Sequence, residues 1–313
     1  MRAIRSTASE IRSRKRATRG ARTLTGLLAI LVSVAGPVRA QSPWGGAVRT
    51  PGSGDVTWVL LSGLVGGTSG FRALERELLE EGHRIIAIDP YHLSIDSADV
   101  SFAALARRVN VVLDGLDVTS ANVVGHAHGA GVALRVAASM PARVQALYFL
   151  DVGALESNRT RVLTLSLRLA PMIASIPGGK GFLRRKLVAG IRENAGRHEW
   201  FDPAAQRAYT DPVLAGIGRV VALARRLGAS TEPEALGAVV SRVRAPITVF
   251  VGLAPHASGP KAEEFTALEP LGARVTVVRL AGVGHFPHEE ATGIVAEQML
   301  GRSERATAAR VAR

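Results

Sequence analysis

Residues 123–131 read Val-Val-Gly-His-Ala-His-Gly-Ala-Gly, an apolar run that passes without a linker into Gly-x-x-x-Gly and then into a helical pattern. A buried strand that turns at once into a helix fits this order. The glycines at 125 and 129 are needed because larger side chains would collide at so sharp a turn. Such a turn holds its middle residue, Ala127, in a strained backbone state with the side chain raised above the sheet.

The flanking sequence supports one layered fold. Short apolar runs at 56–61, 84–89, 120–124, 144–151, 246–252 and 274–280 predict buried strands. Helical spacing at 70–82, 101–116, 131–140 and 288–301 alternates with them. Strands alternating with helices predict an α/β fold with a mostly parallel sheet covered on both faces. Residues 155–240 break the alternation, with helical stretches at 160–174, 182–195, 203–209, 213–227 and 233–242. An all-helical insertion between two α/β halves predicts a cap over the carboxyl ends of the strands, where ligands bind in open sheets.

The ends of the chain differ from its body. Residues 1–40 hold nine Lys/Arg and one Glu, followed at 24–38 by an apolar stretch and then Val38-Arg39-Ala40. That order predicts a secretory signal peptide. Fifteen apolar residues fall short of the ~20 a membrane span needs, so stable insertion is not expected. Residues 41–54, rich in Gly, Pro and Ser, are expected to form a linker. The core is expected at 55–154 and 241–301, the helical cap at 155–240, and a basic flexible tail at 302–313.

The formal charge of +13 suggests nucleic acid only until it is mapped. The basic excess sits mainly in 1–40 and in 301–313, and the body is nearly balanced. A balanced body offers no basic face for phosphates, so no nucleic-acid partner is expected. The Arg-rich faces of the insertion are read as solvated. Absence of cysteine rules out disulfides, thiol nucleophiles and thiolate metal sites.

Four stretches together resemble the α/β-hydrolase superfamily, especially its capped group of epoxide hydrolases, haloperoxidase-like esterases and C–C bond hydrolases. They are Leu60-Leu61-Ser62-Gly63-Leu64, Ile86-Ala87-Ile88-Asp89-Pro90, the turn at 125–129, and the loop Gly282-Val283-Gly284-His285-Phe286-Pro287-His288-Glu289-Glu290. The resemblance spans about residues 55–300. It implies that Ala127 stands at the nucleophile position and His285 at that of the general base. It implies oxyanion donors at the backbone N–H groups of Leu64 and His128.

Two departures from the family pattern matter. Ala127 presents a methyl group, which cannot attack. The usual acid position, 253–256, reads Leu-Ala-Pro-His and has no carboxylate. Asp151, at the end of the preceding core strand, is the candidate orienter of His285; the alternative is a turn-capping Asp. Two changes rather than one point to natural loss of the triad. Ser62 replaces the family's His, either hydrogen-bonded in the oxyanion loop or simply small enough to fit. His126 and His128 flank Ala127, but the turn directs them away from it, so neither metal nor cofactor is expected. Asp89 is expected to start a turn, with Tyr91 and His92 as candidate pocket residues.

The expected partner is a small molecule, and oligomeric state is not set by the sequence. Two functional readings follow. One is an exported, non-hydrolytic homologue that binds a small apolar or acyl ligand. The other is an enzyme in which His285, oriented by Asp151, acts as general base beneath backbone oxyanion donors.

Overall fold

The computed structural model describes residues 45–159, 165–259 and 265–302. The expected signal peptide and nearly all of the basic tail lie outside these residues. Seven strands form the central sheet: β1 (Val48–Arg49), β2 (Thr57–Leu61), β3 (Arg84–Ile88), β4 (Ala121–His126), β5 (Val144–Leu150), β6 (Ile247–Gly252) and β7 (Val275–Leu280). Nine labelled helices accompany them: α1 (Arg72–Glu80), α2 (Phe102–Gly115), α3 (Gly129–Ser139), α4 (Leu165–Ser175), α5 (Gly179–Asn194), α6 (Pro203–Ala215), α7 (Ile217–Gly228), α8 (Leu236–Val240) and α9 (Thr292–Met299). Among the described residues no helix is long and apolar enough to cross a membrane.

The sheet order is β1-β3-β2-β4-β5-β6-β7, with only β1 antiparallel. This is the α/β fold with a mostly parallel sheet that the alternation predicted. The chain runs from β2 outward to β3, then returns to place β4 on the other side of β2. That reversal opens a crevice at the carboxyl ends of β2 and β4, the position where open α/β sheets bind ligands.

Strand periodicity divides the core. On β2, Val59 and Leu61 face a layer formed with Phe102, Leu105 and Val109 of α2 and Ala130 and Leu134 of α3. Trp58 and Leu60 face the opposite layer, with Leu74 and Leu78 of α1 and Val295 and Met299 of α9. All five β2 side chains are buried, as the unbroken apolar run requires.

Residues 165–240 are helical, and their residues 191–209 meet the loops after β2 and β7. Tyr209 donates to Gly70 O at 3.3 Å, and His285 N–H donates to Asn194 O at 2.8 Å. Ile191, Phe201, Ala205, Tyr209 and Phe286 form a third cluster there. A buried Arg135–Glu232 ion pair at 3.1 Å ties α3 to the segment before α8. Glu232 also accepts from the N–H groups of Phe102 and Ala103 at the start of α2.

Three local expectations change. Val48–Arg49, expected in a linker, instead pairs antiparallel with Ile88 and Ala87. Two residues are too short for periodicity to show; the partner strand makes the element. The expected final helix is divided at Ala291, with a one-turn helix at Pro287–Glu290 before α9. Pro212, expected to separate two helices, lies inside α6, and the break falls at Gly216.

Candidate active site

The turn after β4 has the geometry its glycines predicted. Ala127 sits at φ 50°, in the left-handed region. An L-residue there costs on the order of 1–2 kcal/mol, and the surrounding backbone holds it in place. Ala127 N–H donates to Leu150 O at 3.0 Å, and Ala127 O accepts from Ala130 N–H at 3.2 Å. A Cβ on Gly125 would lie 2.6 Å from Ala130 N, and one on Gly129 would lie 2.3 Å from Leu61 O. Only glycine fits at either position. The strained turn therefore persists although its central side chain is a methyl group.

Asp151 follows β5 and is fully buried, with φ 46°. Its Oδ2 accepts from His285 Nδ1–H at 2.7 Å and from His256 Nε2–H at 2.8 Å. Its Oδ1 accepts from Gly252 N–H at 3.2 Å. The structure thus brings Asp151 and His285 together, the pairing the sequence offered. It also adds His256, a member that sequence reasoning missed. A loop histidine at the end of Leu-Ala-Pro-His carries no local signal for this role, because its partner oxygen lies 105 residues away.

The protonation of His256 follows from its neighbours. Its Nδ1 lies 2.7 Å from Ala254 O, and a carbonyl oxygen only accepts. Its Nε2 faces a carboxylate, which also only accepts when ionised. Oxygen acceptors at both ring nitrogens favour the charged imidazolium form of His256. The hydrogen bond to Asp151 raises its pKa against the opposing effect of burial. Burial alone pushes Asp151 up, but hydrogen bonds from His256 and His285 hold it below the ordinary carboxylate range. Asp151, His256 and His285 each place one potential metal-ligating atom within 4.8 Å of the others.

The His285 loop is organised by a carboxylate. Glu290 Oε2 accepts from the N–H groups of Gly196 and Arg197 at 2.7 Å each and Gly284 at 2.9 Å, while Oε1 accepts from Phe286 at 3.1 Å. Four converging N–H groups make it the fixed post of the loop. His126 Nε2–H donates to His285 O at 2.9 Å. Burial, and then the nearby His285, lower the His126 pKa to about 3, so His126 is a neutral strut. Its ring centroid lies 4.8 Å from that of His285 and 4.4 Å from that of His288. The same two causes lower the His128 pKa to about 4.

The remaining candidates are placed as follows. Leu64 packs against the core, and neither its N–H nor that of His128 donates to a backbone carbonyl among the described residues. Ser62 is buried and its Oγ has no hydrogen-bond partner, so of the two readings its small size is the one that fits. Asp89 caps the one-turn helix Pro90–Leu93 by accepting from Tyr91 and His92 N–H at 3.0 and 2.9 Å. Tyr91, considered for the pocket, is instead buried and donates to Asn158 Oδ1 at 2.8 Å; His92 is exposed.

Comparisons with known proteins agree with this architecture. A family model described as alpha/beta hydrolase fold matches residues 58–169. The esterase of Thermogutta terrifontis superposes with a TM-score of 0.60 at 19% identity, over 83% of this chain and 93% of that one. The epoxide hydrolase CorEH gives 0.59 at 17% identity, over 83% and 94%. The chain therefore has the α/β-hydrolase fold.

Among curated proteins, RutD of Variovorax paradoxus (strain S110), described as a carbamate hydrolase, is 33% identical over 135 residues. That match covers 42% of this chain and 50% of RutD. The sn-1-specific diacylglycerol lipase ABHD11 of Xenopus laevis is 29% identical over 98 residues, 30% of this chain and 31% of that protein. The chain spans half or less of the length of these relatives.

Proposed function

We propose that this protein has lost the covalent hydrolytic route and keeps His285, oriented by Asp151, as a general base toward a small acyl or carbonyl ligand. The observation that carries the reading is the 2.7 Å contact between His285 Nδ1 and Asp151 Oδ2. With Nδ1–H donating to Asp151, the Nε2 lone pair is left to take a proton from water or from a substrate C–H or O–H. The N–H groups of Leu64 and His128 would hold the ligand's developing oxyanion, the latter at the head of α3. The similarity to RutD, described as a carbamate hydrolase, and to an esterase structure supports a carbonyl-bearing ligand.

A second reading, binding of such a ligand without turnover, is favoured by His256. Its positive charge lies against the same carboxylate oxygen and offsets part of the negative field that would strengthen His285 as a base. In either reading the protein is exported, with residues 1–40 as its signal.

The test is hydrolysis of p-nitrophenyl esters by purified protein, beside binding of acyl chains by calorimetry. Weak turnover lost in His285→Ala supports the general base. Saturable binding without His285-dependent turnover supports the second reading. Turnover at ordinary esterase level, or a covalent fluorophosphonate adduct, overturns both.

A further inference from the structure

We propose that the α4–α5 hairpin docks on the surface of an anionic lipid bilayer. Residues 165–194 contain six basic side chains, Arg168, Lys180, Arg184, Arg185, Lys186 and Arg192, and one acidic one, Glu193 at the end of α5. Only Arg184 among them is ion-paired among the described residues, to Asp211 at 2.6 Å. The rest of the body is slightly acidic, so this positive charge is concentrated rather than spread.

The same hairpin exposes apolar side chains. Leu169, Met172, Ile176 and Phe182 are 40%, 62%, 57% and 42% exposed. The other large exposed apolar residues, such as Val56, Val111 and Ile294, are scattered along the chain. Leu169 and Met172 share one face of α4, and Ile176 follows directly on the helix end. Lys186 Nζ lies 5.9 Å from the Phe182 ring centroid. Phe182, Arg185 and Ala189 share a face of α5, and Arg185 and Ala189 also line an open cleft of about 500 Å³ together with Arg184, Arg192, Glu193 and Gln206.

The combination selects the occupant. An acidic protein would neutralise the arginines and leave Met172 and Ile176 in water. A bilayer interface accepts both groups at once: apolar tips enter the acyl boundary while long basic side chains extend to lipid phosphates. Arg185 and Arg192 of the cleft, neither ion-paired among the described residues, suit a phosphate headgroup.

The chain contains no cysteine, so Met172→Cys carries a single environment-sensitive fluorophore on the full protein. Adding phosphatidylglycerol-rich vesicles should blue-shift that probe, and likewise one at Ile176→Cys, but not one at Val111→Cys on α2. Pure phosphatidylcholine vesicles should shift none of them. Lys180→Gln/Arg185→Gln/Lys186→Gln should weaken vesicle partitioning roughly a hundredfold at low salt. Vesicle binding with the probes at 172 and 176 still in water overturns the proposal. A blue shift produced by polyaspartate without lipid also overturns it and points to an acidic protein partner.

Discussion

Asp151 and His285 lie 134 residues apart in the chain, and their side chains meet at 2.7 Å. The carboxylate orients the imidazole and stands on a residue at φ 46°. Two strained positions, Ala127 and Asp151, therefore frame the site. The structural precondition for a serine triad is present, without the serine.

Ala127→Ser should recover covalent chemistry. Serine at φ 50° adds no backbone strain beyond that already carried by alanine. Esterase activity should rise at least about a hundredfold over the parent, since the nucleophile is the main missing member. A fluorophosphonate probe read by intact mass should label the variant and not the parent. Absence of both changes would show that the decay extends past this residue.

Asp151→Asn should remove any His285-dependent rate by as much as ~10⁴, because an amide does not fix the tautomer that leaves Nε2 free. The same change leaves the His256 cation without its buried counter-charge and should cost about 3 kcal/mol of stability in urea unfolding. Loss of rate without loss of stability would separate orientation from charge pairing. For Asp151 the native pKa is lowered, so its stabilisation is present above the unfolded carboxylate pKa and fades as pH falls through the native value.

Three buried histidines should make the protein acid-sensitive. Burial lowers the pKa of His126 to about 3 and of His128 to about 4, and lowers His288 well below its ordinary value. Unfolded, all three gain protons near pH 6.5, whereas folded they stay neutral. Stability from this source is therefore complete above pH 6.5 and falls as pH drops, by about 1.4 kcal/mol per pH unit for each histidine. Thermal unfolding followed between pH 7 and 4.5 measures it, and His288→Phe should reduce the slope.

Glu289 should act in the opposite sense. Burial raises its pKa to about 7, against lowering by Arg72 and by the Tyr209 hydroxyl. A carboxyl with a raised native pKa contributes stability at low pH and loses it as pH rises from the unfolded value through about 7. Glu289→Gln should therefore raise the melting temperature at pH 8 and leave it nearly unchanged at pH 4. A lower melting temperature at pH 8 would show that the ionised form is held by Arg72.

Legibility differed among the elements of the site. The Gly125–Gly129 turn was readable because its cause is local: a Cβ at either glycine strikes backbone within a few residues or on the adjoining strand end. The missing nucleophile at Ala127 was readable for the same reason. His256 was not, since its role depends on an oxygen 105 residues away. Glu290 appeared in the sequence only as part of a loop, and its four N–H partners come from two separate segments.

Alternating periodicity determined the layers, and glycines spaced four apart between a strand and a helix marked the strained turn. Those depend on neighbours along the chain, so sequence alone carries them. Sheet order and loop paths decided which distant side chains meet. They placed Val48–Arg49 beside β3, aimed His256 and His285 at one oxygen, and left Ser62 buried without a partner. No local propensity encodes such contacts, because each requires strands far apart in sequence to settle in one register.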